Sequence, residues 1–127
     1  MFRGSMGGVE GWGLGAVGLV VVLTAACGGG SAATPAELAT GGELFRATCA
    51  SCHGRDGEGM PKLGKDLRRN EFVDALDDEE LFQFFKIGRP ADHPLNQQRV
   101  DMPPKGGNPG LQDEDLRLIA AYVRSIQ

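Results

Sequence analysis

Cys49, Cys52 and His53 form a C-x-x-C-H motif, which is the most chemically specific pattern in the chain. Two thiols at this spacing can each add across one vinyl group of a haem, and the adjacent imidazole can then coordinate the iron. A zinc site would need further Cys or His ligands nearby, and only His93 is left over. A thioredoxin-like redox pair would need a βαβ context, which the chain lacks. The motif therefore predicts one covalently bound haem c.

With His53 on one side of the iron, a second axial ligand must come from elsewhere in the chain. Met60 is too close in sequence, because the chain must pass one face of the haem and return over the other. His93 lies in a polar, extended segment just before a proline. Met102 precedes two prolines that stiffen its segment, and its soft sulfur suits haem iron. The prediction is Met102, with His93 and Met60 as the alternatives.

An apolar run over residues 14–26 ends at Cys27. It is too short to cross a ~30 Å hydrocarbon core, which takes about 20 helical residues, and it predicts an export signal over residues 1–26. Its last residues resemble a bacterial lipoprotein signal, in which the cysteine is acylated and becomes the new amino terminus. That resemblance implies a lipid anchor at Cys27 and a domain that faces the periplasm or the cell exterior. An uncleaved membrane anchor and plain secretion are the alternatives.

Length, net charge and composition predict how the chain is divided into domains. The chain has 127 residues and a formal net charge of −4, which corresponds to one small, mildly acidic domain. This charge argues against nucleic acid binding and weakly favours partners with basic patches. Residues 27–35 are rich in Gly, Ser and Ala and predict a flexible tether, followed by a folded domain over residues 36–127.

The folded part is predicted as helices joined by loops. A capping box from Thr34 to Glu37 marks one start of the first helix, and a second box at Thr40 leaves that start ambiguous. One face of this helix, which leads to the haem motif, carries residues that are apolar or small: Leu38, Gly41, Leu44, Phe45 and Thr48.

Two further helices follow. Asp77 caps the second, Leu81 and three phenylalanines (Phe82, Phe84 and Phe85) supply its apolar residues, and Gly88 stops it. The last helix runs over residues 113–125, and no strand is predicted in the mature chain. Residues 54–72 and 88–110 are rich in Gly and Pro, so they are predicted as loops that wrap the cofactor.

These positions resemble the bacterial class I c-type cytochromes over residues 36–127. Gly41 matches the glycine of that family's first helix, which allows a close crossing with the last helix. Tyr122 matches an aromatic residue that packs near the first helix. The segment that begins at Met102 strongly resembles the family's methionine loop and final helix. The resemblance implies an all-α fold, a small helical domain wrapped around one covalently bound haem.

Two departures from the family pattern lead to specific expectations. Residues 64–67 read Gly-Lys-Asp-Leu where the family usually has Gly-Pro-x-Leu, and the proline carbonyl there accepts a hydrogen bond from the haem histidine. Any residue's carbonyl can accept that bond, so we expect Lys65 to supply it. Gln112 stands where a capping Ser or Thr is usual, so we expect Asp113 to cap the last helix.

Together these features predict an electron carrier tethered by lipid outside the cytoplasmic membrane, and not an enzyme. An iron with the same two ligands in both oxidation states suits outer-sphere transfer of single electrons and offers no open position to a substrate. The expected partners are membrane-bound respiratory donors and acceptors, docking through a face below about 1,200 Å². Two alternatives stay open: a haem-bearing subunit of a specific respiratory oxidoreductase, and a small-ligand haem sensor or peroxidase-like protein.

Overall fold

A computed structural model describes residues 32–127 of the chain. The predicted signal over residues 1–26, Cys27 and the first part of the predicted tether lie outside the described residues. The elements in chain order are α1 Pro35–Thr48, α2 Ala50–His53, α3 Glu71–Ala75, α4 Asp78–Ile87, a 3₁₀ turn Pro104–Gly107, and α5 Asp113–Ser125. Residues 32–127 contain two isolated β-bridges and no strand, so the all-α prediction is confirmed. Within the same range, no helix is both long and apolar enough to span a membrane.

The first helix begins at the first of its two predicted capping boxes. The backbone N–H of Glu37 donates to the Thr34 hydroxyl at 3.3 Å, and the Thr34 N–H donates to the Glu37 carboxylate at 2.7 Å. Pro35 occupies the first helical position, where its missing N–H costs nothing. Thr40 lies inside the helix, and its hydroxyl donates to the Ala36 carbonyl at 3.0 Å. The ambiguity is therefore resolved in favour of Thr34.

The residues predicted to start and to end α4 are confirmed. Asp77 accepts the N–H of Glu80 at 2.7 Å, and the Glu80 carboxylate accepts the N–H of Asp77 at 2.8 Å. Gly88 ends the helix with a φ of 75°, a conformation that favours glycine. A Cβ at this position would also lie 2.2 Å from the Met102 carbonyl oxygen. Gly88 is thus required both by its backbone angle and by the close approach of the segment around Met102.

The last helix has the predicted bounds, but the predicted cap is wrong. Gln112 is the N-cap residue of α5, and its backbone N–H donates to the Asp115 carboxylate at 2.8 Å. Asp113 lies in the first helical turn and forms an ion pair with Lys86 at 2.7 Å. The Asp115 carboxylate thus accepts a backbone N–H at the start of the helix, and this contact does not require a Ser or Thr at the cap position.

Helices α1 and α5 cross at Gly41, as the family resemblance implies. A Cβ built on Gly41 would lie 2.1 Å from the Leu118 carbonyl oxygen, so the backbones can approach only without a side chain here. One turn further along α1, the Phe45 ring packs on the Tyr122 ring with centroids 5.2 Å apart. Around this crossing lies the buried core: Phe45, Val73, Leu81, Phe82, Phe85, Leu111, Leu116, Ile119, Ala120, Tyr122 and Val123.

The loop predicted over residues 54–72 ends earlier than expected, because α3 begins at Glu71. Asn70 caps this helix by accepting the N–H groups of Phe72 and Val73 at 3.1 and 3.3 Å. The helix has only five residues, which is too few for an apolar period to be visible in the sequence.

Arg124 joins the end of α5 to the connection between α3 and α4. Its guanidinium donates to the Val73 carbonyl at 2.6 Å, to the Leu76 carbonyl, and to the Asp78 carboxylate at 3.0 Å. The two carbonyls belong to the end of a short helix, where carbonyls lack helical partners, so one partly buried side chain closes this corner of the fold.

Candidate cofactor site

A cavity of about 330 Å³ lies between the helices and the two long loops. Its volume falls in the range of pockets that take small molecules and cofactors, about 300–1,000 Å³. Cys49, Cys52, His53 and Met102 all line it. Most of the other wall is apolar: Phe45, Leu67, Val73, Leu81, Phe84, Phe85, Ile119 and Val123.

The C-x-x-C-H motif lies where α1 passes into α2. The N–H groups of Cys52 and His53 both donate to the Cys49 carbonyl, at 3.1 and 3.0 Å, so the motif forms one helical turn. Both cysteines are free thiols and partly buried. Burial, with a smaller effect of the neighbouring Cys52, raises the pKa of Cys49 to about 11. The Cys49 sulfur is therefore held as the neutral thiol near pH 7.

A loop under the motif fixes the ring of His53. Its Nδ1 lies 2.8 Å from the Lys65 carbonyl oxygen, as predicted for the residue that replaces the family's proline. Gly64, just before, packs against Cys52: a Cβ on Gly64 would lie 2.2 Å from the Cys52 carbonyl oxygen. On the other side, the Lys65 amine donates to the Gln97 side chain at 2.6 Å. The loop that carries the Lys65 carbonyl is thus held on one side by the packing of Gly64 on Cys52 and on the other by the hydrogen bond from Lys65 to Gln97.

Met102 is held by a pair of backbone hydrogen bonds. The N–H of Met102 donates to the Arg89 carbonyl and the N–H of Arg89 donates to the Met102 carbonyl, both at 2.8 Å. Beyond Met102, the 3₁₀ turn approaches the end of α1: a Cβ on Gly106 would lie 2.9 Å from the Thr48 methyl group and 3.8 Å from the Cys49 sulfur. The methionine segment is therefore fixed to the end of α4 on one side and to the C-x-x-C-H turn on the other.

The two alternative axial ligands lie away from the cavity wall. His93 is exposed, and its Nδ1 accepts the Leu95 N–H at 3.1 Å within its own loop. Met60 is 41% exposed and lines a separate open hollow on the surface. Of the three candidates, only Met102 lines the same cavity as His53.

Two residues that shape the site were not identified from the sequence. Asn96 is 8% exposed, and its side-chain amide donates to the carbonyls of Pro90 and Val100 at 2.9 and 2.7 Å, which closes the loop before Met102. Arg89 lines the cavity, and its guanidinium lies over aromatic rings. Asn96 acts through carbonyls four and six residues away, and Arg89 through the rings of Phe72 and Phe84. No sequence motif marks either residue.

The residues present fit a covalently bound haem. The cavity offers an apolar wall for a macrocycle, two thiols at vinyl spacing, an imidazole whose Nδ1 faces a carbonyl, and a thioether. Among residues 32–127 there is no cluster of three or more His, Cys, Asp or Glu side chains placed to bind a metal ion directly. The donor set is thus that of a haem protein.

Comparisons with known proteins agree with this chemistry. The family described as cytochrome c oxidase, cbb3-type, subunit III matches residues 36–123. Two sequences of the cbb3-type cytochrome c oxidase subunit CcoP from Rhodobacter capsulatus are each 29% identical to the chain over 98 residues, or 76% of this chain and 32% of the relative. The chain therefore spans about a third of the length of these relatives.

A shorter relative is matched over most of its length. Cytochrome c-555 from Prosthecochloris aestuarii is 31% identical over 87 residues, which cover 68% of this chain and 85% of that protein. No solved structure matches the chain significantly.

Proposed function

The chain belongs to the family of the cbb3-type cytochrome c oxidase subunit III, and we propose that it carries single electrons with a haem iron held by His53 and Met102. It is a bacterial class I c-type cytochrome with covalently bound haem c, and hence an electron-carrying haem protein. The finer proposals concern which residues hold the haem, whether the carrier works alone, and where it is located.

Cys49 and Cys52 are the proposed attachment sites. Each thiol would hold the haem by adding across one vinyl C=C bond: the sulfur would bond to one carbon, the thiol hydrogen would go to the other, and no group would leave. Both sulfurs are free and border the cavity, which supports this assignment. In acid acetone, we expect the pigment to stay with the wild-type protein. We expect the same treatment to extract the pigment from a Cys49→Ala, Cys52→Ala double variant. Extraction of pigment from the wild type would contradict it.

His53 and Met102 are the proposed axial ligands. The bound haem supplies an iron that accepts and releases one electron. The Lys65 carbonyl orients the His53 ring and leaves Nε2 available as a ligand, and the backbone pair with Arg89 holds Met102 in place. Because the fold holds the His53 ring and the Met102 backbone in place, the site is expected to rearrange little when the iron changes charge, which favours rapid outer-sphere transfer.

One observation carries the carrier proposal: the two proposed iron ligands, His53 and Met102, come from distant parts of the chain and line one cavity. If the protein fills both axial positions, a small molecule finds no open site on the iron. The test is carbon monoxide added to the reduced, full-length protein at neutral pH. A carrier keeps its spectrum, whereas fast and complete formation of a carbon monoxide adduct would favour a small-ligand sensor or peroxidase-like protein.

A second candidate is a haem-bearing subunit of a larger oxidoreductase. The family description and the CcoP relatives favour it, since both are named as parts of an oxidase. The two candidates differ in what the protein is bound to. After mild detergent extraction of host membranes and native electrophoresis, a free carrier gives a haem-stained band separate from oxidase activity. Co-migration of the two signals would support the subunit.

We also propose that the protein is exported and anchored by an acylated Cys27, which lies outside the described residues. The support is the apolar run of residues 14–26 that ends in small residues at this cysteine. A lipid anchor would keep the carrier near membrane-bound partners and raise its effective concentration there. In the fractionation test, wild-type protein pellets with membranes and Cys27→Ser protein becomes soluble. A Cys27→Ser protein that still pellets would contradict the anchor.

A further inference from the structure

Lys65 contacts both of the segments that carry the proposed iron ligands. Its carbonyl oxygen lies 2.8 Å from Nδ1 of His53, and its side-chain amine donates to Oε1 of Gln97 at 2.6 Å. Lys65 and Gln97 both line the cavity and are both exposed, so their hydrogen bond lies where the cavity opens to solvent. One residue therefore joins the loop of residues 54–70, here called the His53 loop, to the loop of residues 88–102, here called the Met102 loop.

The bond between Lys65 and Gln97 is the one polar link between these two loops. None of the other hydrogen bonds and none of the five ion pairs among residues 32–127 joins one loop to the other. A substitution at either end of the bond therefore removes the whole polar link, while each loop keeps its own internal hydrogen bonds.

The Met102 loop is held together by hydrogen bonds of its own. Asn96, directly before Gln97, is 8% exposed, and its side-chain amide donates to the carbonyls of Pro90 and Val100. At the end of the loop, two backbone hydrogen bonds tie Met102 to the residue that follows Gly88. Because these bonds close the loop on itself, we expect it to move as one unit, so a restraint at Gln97 also restrains Met102.

The link depends on a position where this chain departs from its family pattern. The proline that usually follows the glycine here would supply the same carbonyl to the histidine, but proline has no side-chain donor. The carbonyl of Lys65 orients the imidazole whatever its side chain does, so the side chain is available for a second contact. The bond to Gln97 is thus a property of this chain, separate from the support of His53.

We propose that Lys65 is a positioning residue whose bond to Gln97 keeps Met102 on the iron by holding the Met102 loop against the His53 loop. The inference rests on the proposed function, because it needs a haem with His53 and Met102 as its axial ligands. When the Met102 loop moves away from the cofactor, the bond at the mouth of the cavity must break. The bond therefore makes the open state rarer, which keeps external ligands off the iron and keeps the same ligand set in both oxidation states.

Imidazole is the probe, because an external nitrogen ligand can bind the iron only where Met102 has left it. The ferric, full-length haem protein is titrated with imidazole, and the loss of the sulfur–iron charge-transfer band reports binding. Lys65→Met removes the donor, and Gln97→Met removes the acceptor from the opposite loop without a change of charge. Each variant is expected to bind imidazole about 3- to 10-fold more tightly than the wild type, which is the effect of losing one hydrogen bond from the closed state.

The double variant Lys65→Met, Gln97→Met tests whether the two side chains act through one bond. It should bind imidazole no more tightly than the tighter single variant, because one bond can be lost only once. A gain equal to the product of the two single gains would show that the side chains act independently, and it would overturn the proposal. Wild-type affinity in either single variant would overturn it as well.

Two controls match these substitutions. Lys62→Met makes the same change on the His53 loop, at an exposed residue that lies outside the cavity wall and forms none of the five ion pairs among residues 32–127. Gln98→Met changes the exposed residue next to Gln97, which also borders the cavity but does not receive the Lys65 amine. Both controls should keep the imidazole affinity of the wild type within about twofold.

Amide hydrogen exchange distinguishes an opened loop from a general loss of stability. Peptides that cover residues 90–102 should exchange faster in both single variants, whereas peptides of α5 should keep their wild-type rates. Faster exchange throughout the chain would assign the bond to general stability and would overturn the positioning role.

Failure of the proposed function gives a different result from failure of this inference. In the first case, the wild type is colourless or lacks the sulfur–iron band before imidazole is added. In the second, the band is present and the affinities of wild type and variants are equal. If neither single variant accumulates, a structure of the wild-type haem protein decides: Lys65 Nζ within 3.5 Å of Gln97 Oε1 supports the proposal, and an Nζ beyond hydrogen-bond distance of Gln97 overturns it.

Discussion

The Nδ1 atom of His53 lies 2.8 Å from the backbone carbonyl oxygen of Lys65. A carbonyl only accepts hydrogen bonds, so this contact requires Nδ1 to carry the proton and leaves the lone pair on Nε2. The chain therefore sets the tautomer and the orientation of the imidazole that is proposed to bind the iron. Because the acceptor is a main-chain atom, the contact depends on the path of the loop and not on which side chain follows Gly64.

Gly64→Ala should break this contact. The added Cβ would lie 2.2 Å from the Cys52 carbonyl oxygen, so the loop must move away from the C-x-x-C-H turn and take the Lys65 carbonyl with it. We expect a loss of about 1–3 kcal/mol in the free energy of unfolding. We also expect a higher reduction potential, because an imidazole that no longer donates from Nδ1 is a weaker donor to the iron and stabilises the ferric state less.

Urea unfolding and redox titration of the haem protein measure both effects, with Gly110→Ala as the control. A Cβ on Gly110 would meet only the side-chain oxygen of Asn108, at 3.2 Å, so its unfolding free energy should change by less than about 1 kcal/mol. Equal unfolding energies and equal potentials for the two variants would show that Gly64 is not required for packing.

Gly41→Ala should separate the first and last helices. Its Cβ would lie 2.1 Å from the Leu118 carbonyl oxygen, and backbone atoms cannot turn aside as a side chain can. The gain in helix propensity of about 1 kcal/mol is smaller than the expected cost of overpacking, so we expect a net loss of about 1–3 kcal/mol. The control is Thr40→Ala, an exposed neighbour on α1, which should stay within about 0.5 kcal/mol of the wild type in the same unfolding experiment.

Arg124→Met should weaken the corner between α3, α4 and α5. The substitution keeps much of the apolar stem and leaves the carbonyls of Val73 and Leu76 without their charged donor, which is expected to cost about 2–3 kcal/mol. Arg117→Met is the matched control. It removes an exposed ion pair with Glu79 and a stacking contact, together worth about 0.7–2 kcal/mol. Thermal unfolding of the two variants side by side should rank them in that order, and the reverse order would contradict the role given to Arg124.

How much the sequence predicts depends on the range of the interaction. The cap at Asp77 was predicted correctly, and Thr34 was one of the two predicted starts of the first helix, because a cap involves residues three apart. The C-x-x-C-H motif is equally local. The cap of α5 is just as local, but it was predicted wrongly because glutamine is not a usual N-cap residue, and the carboxylate of Asp115 accepts the N–H of Gln112.

The parts that the sequence does not predict depend on the paths that the loops take in the folded protein. Arg89 stands between a glycine and a proline in a segment predicted as a loop, and its role becomes visible only when α3 and α4 place Phe72 and Phe84 beneath it. Asn96 has an ordinary loop sequence, and its burial follows from the closure of its loop on two carbonyls. Met102 was preferred over His93 because of its stiff segment, and the structure adds an independent reason, since only the methionine borders the cavity.

The central claim is that the haem iron is held by His53 and Met102, and the visible spectrum of the oxidised protein tests it most directly. Wild type, Met102→Ala and His93→Ala are compared as full-length, haem-containing proteins. We predict a sulfur–iron charge-transfer band in the wild type and in His93→Ala, and its loss in Met102→Ala. A Met102→Ala spectrum identical to that of the wild type, with a changed spectrum for His93→Ala, would contradict the account and move the ligand to His93.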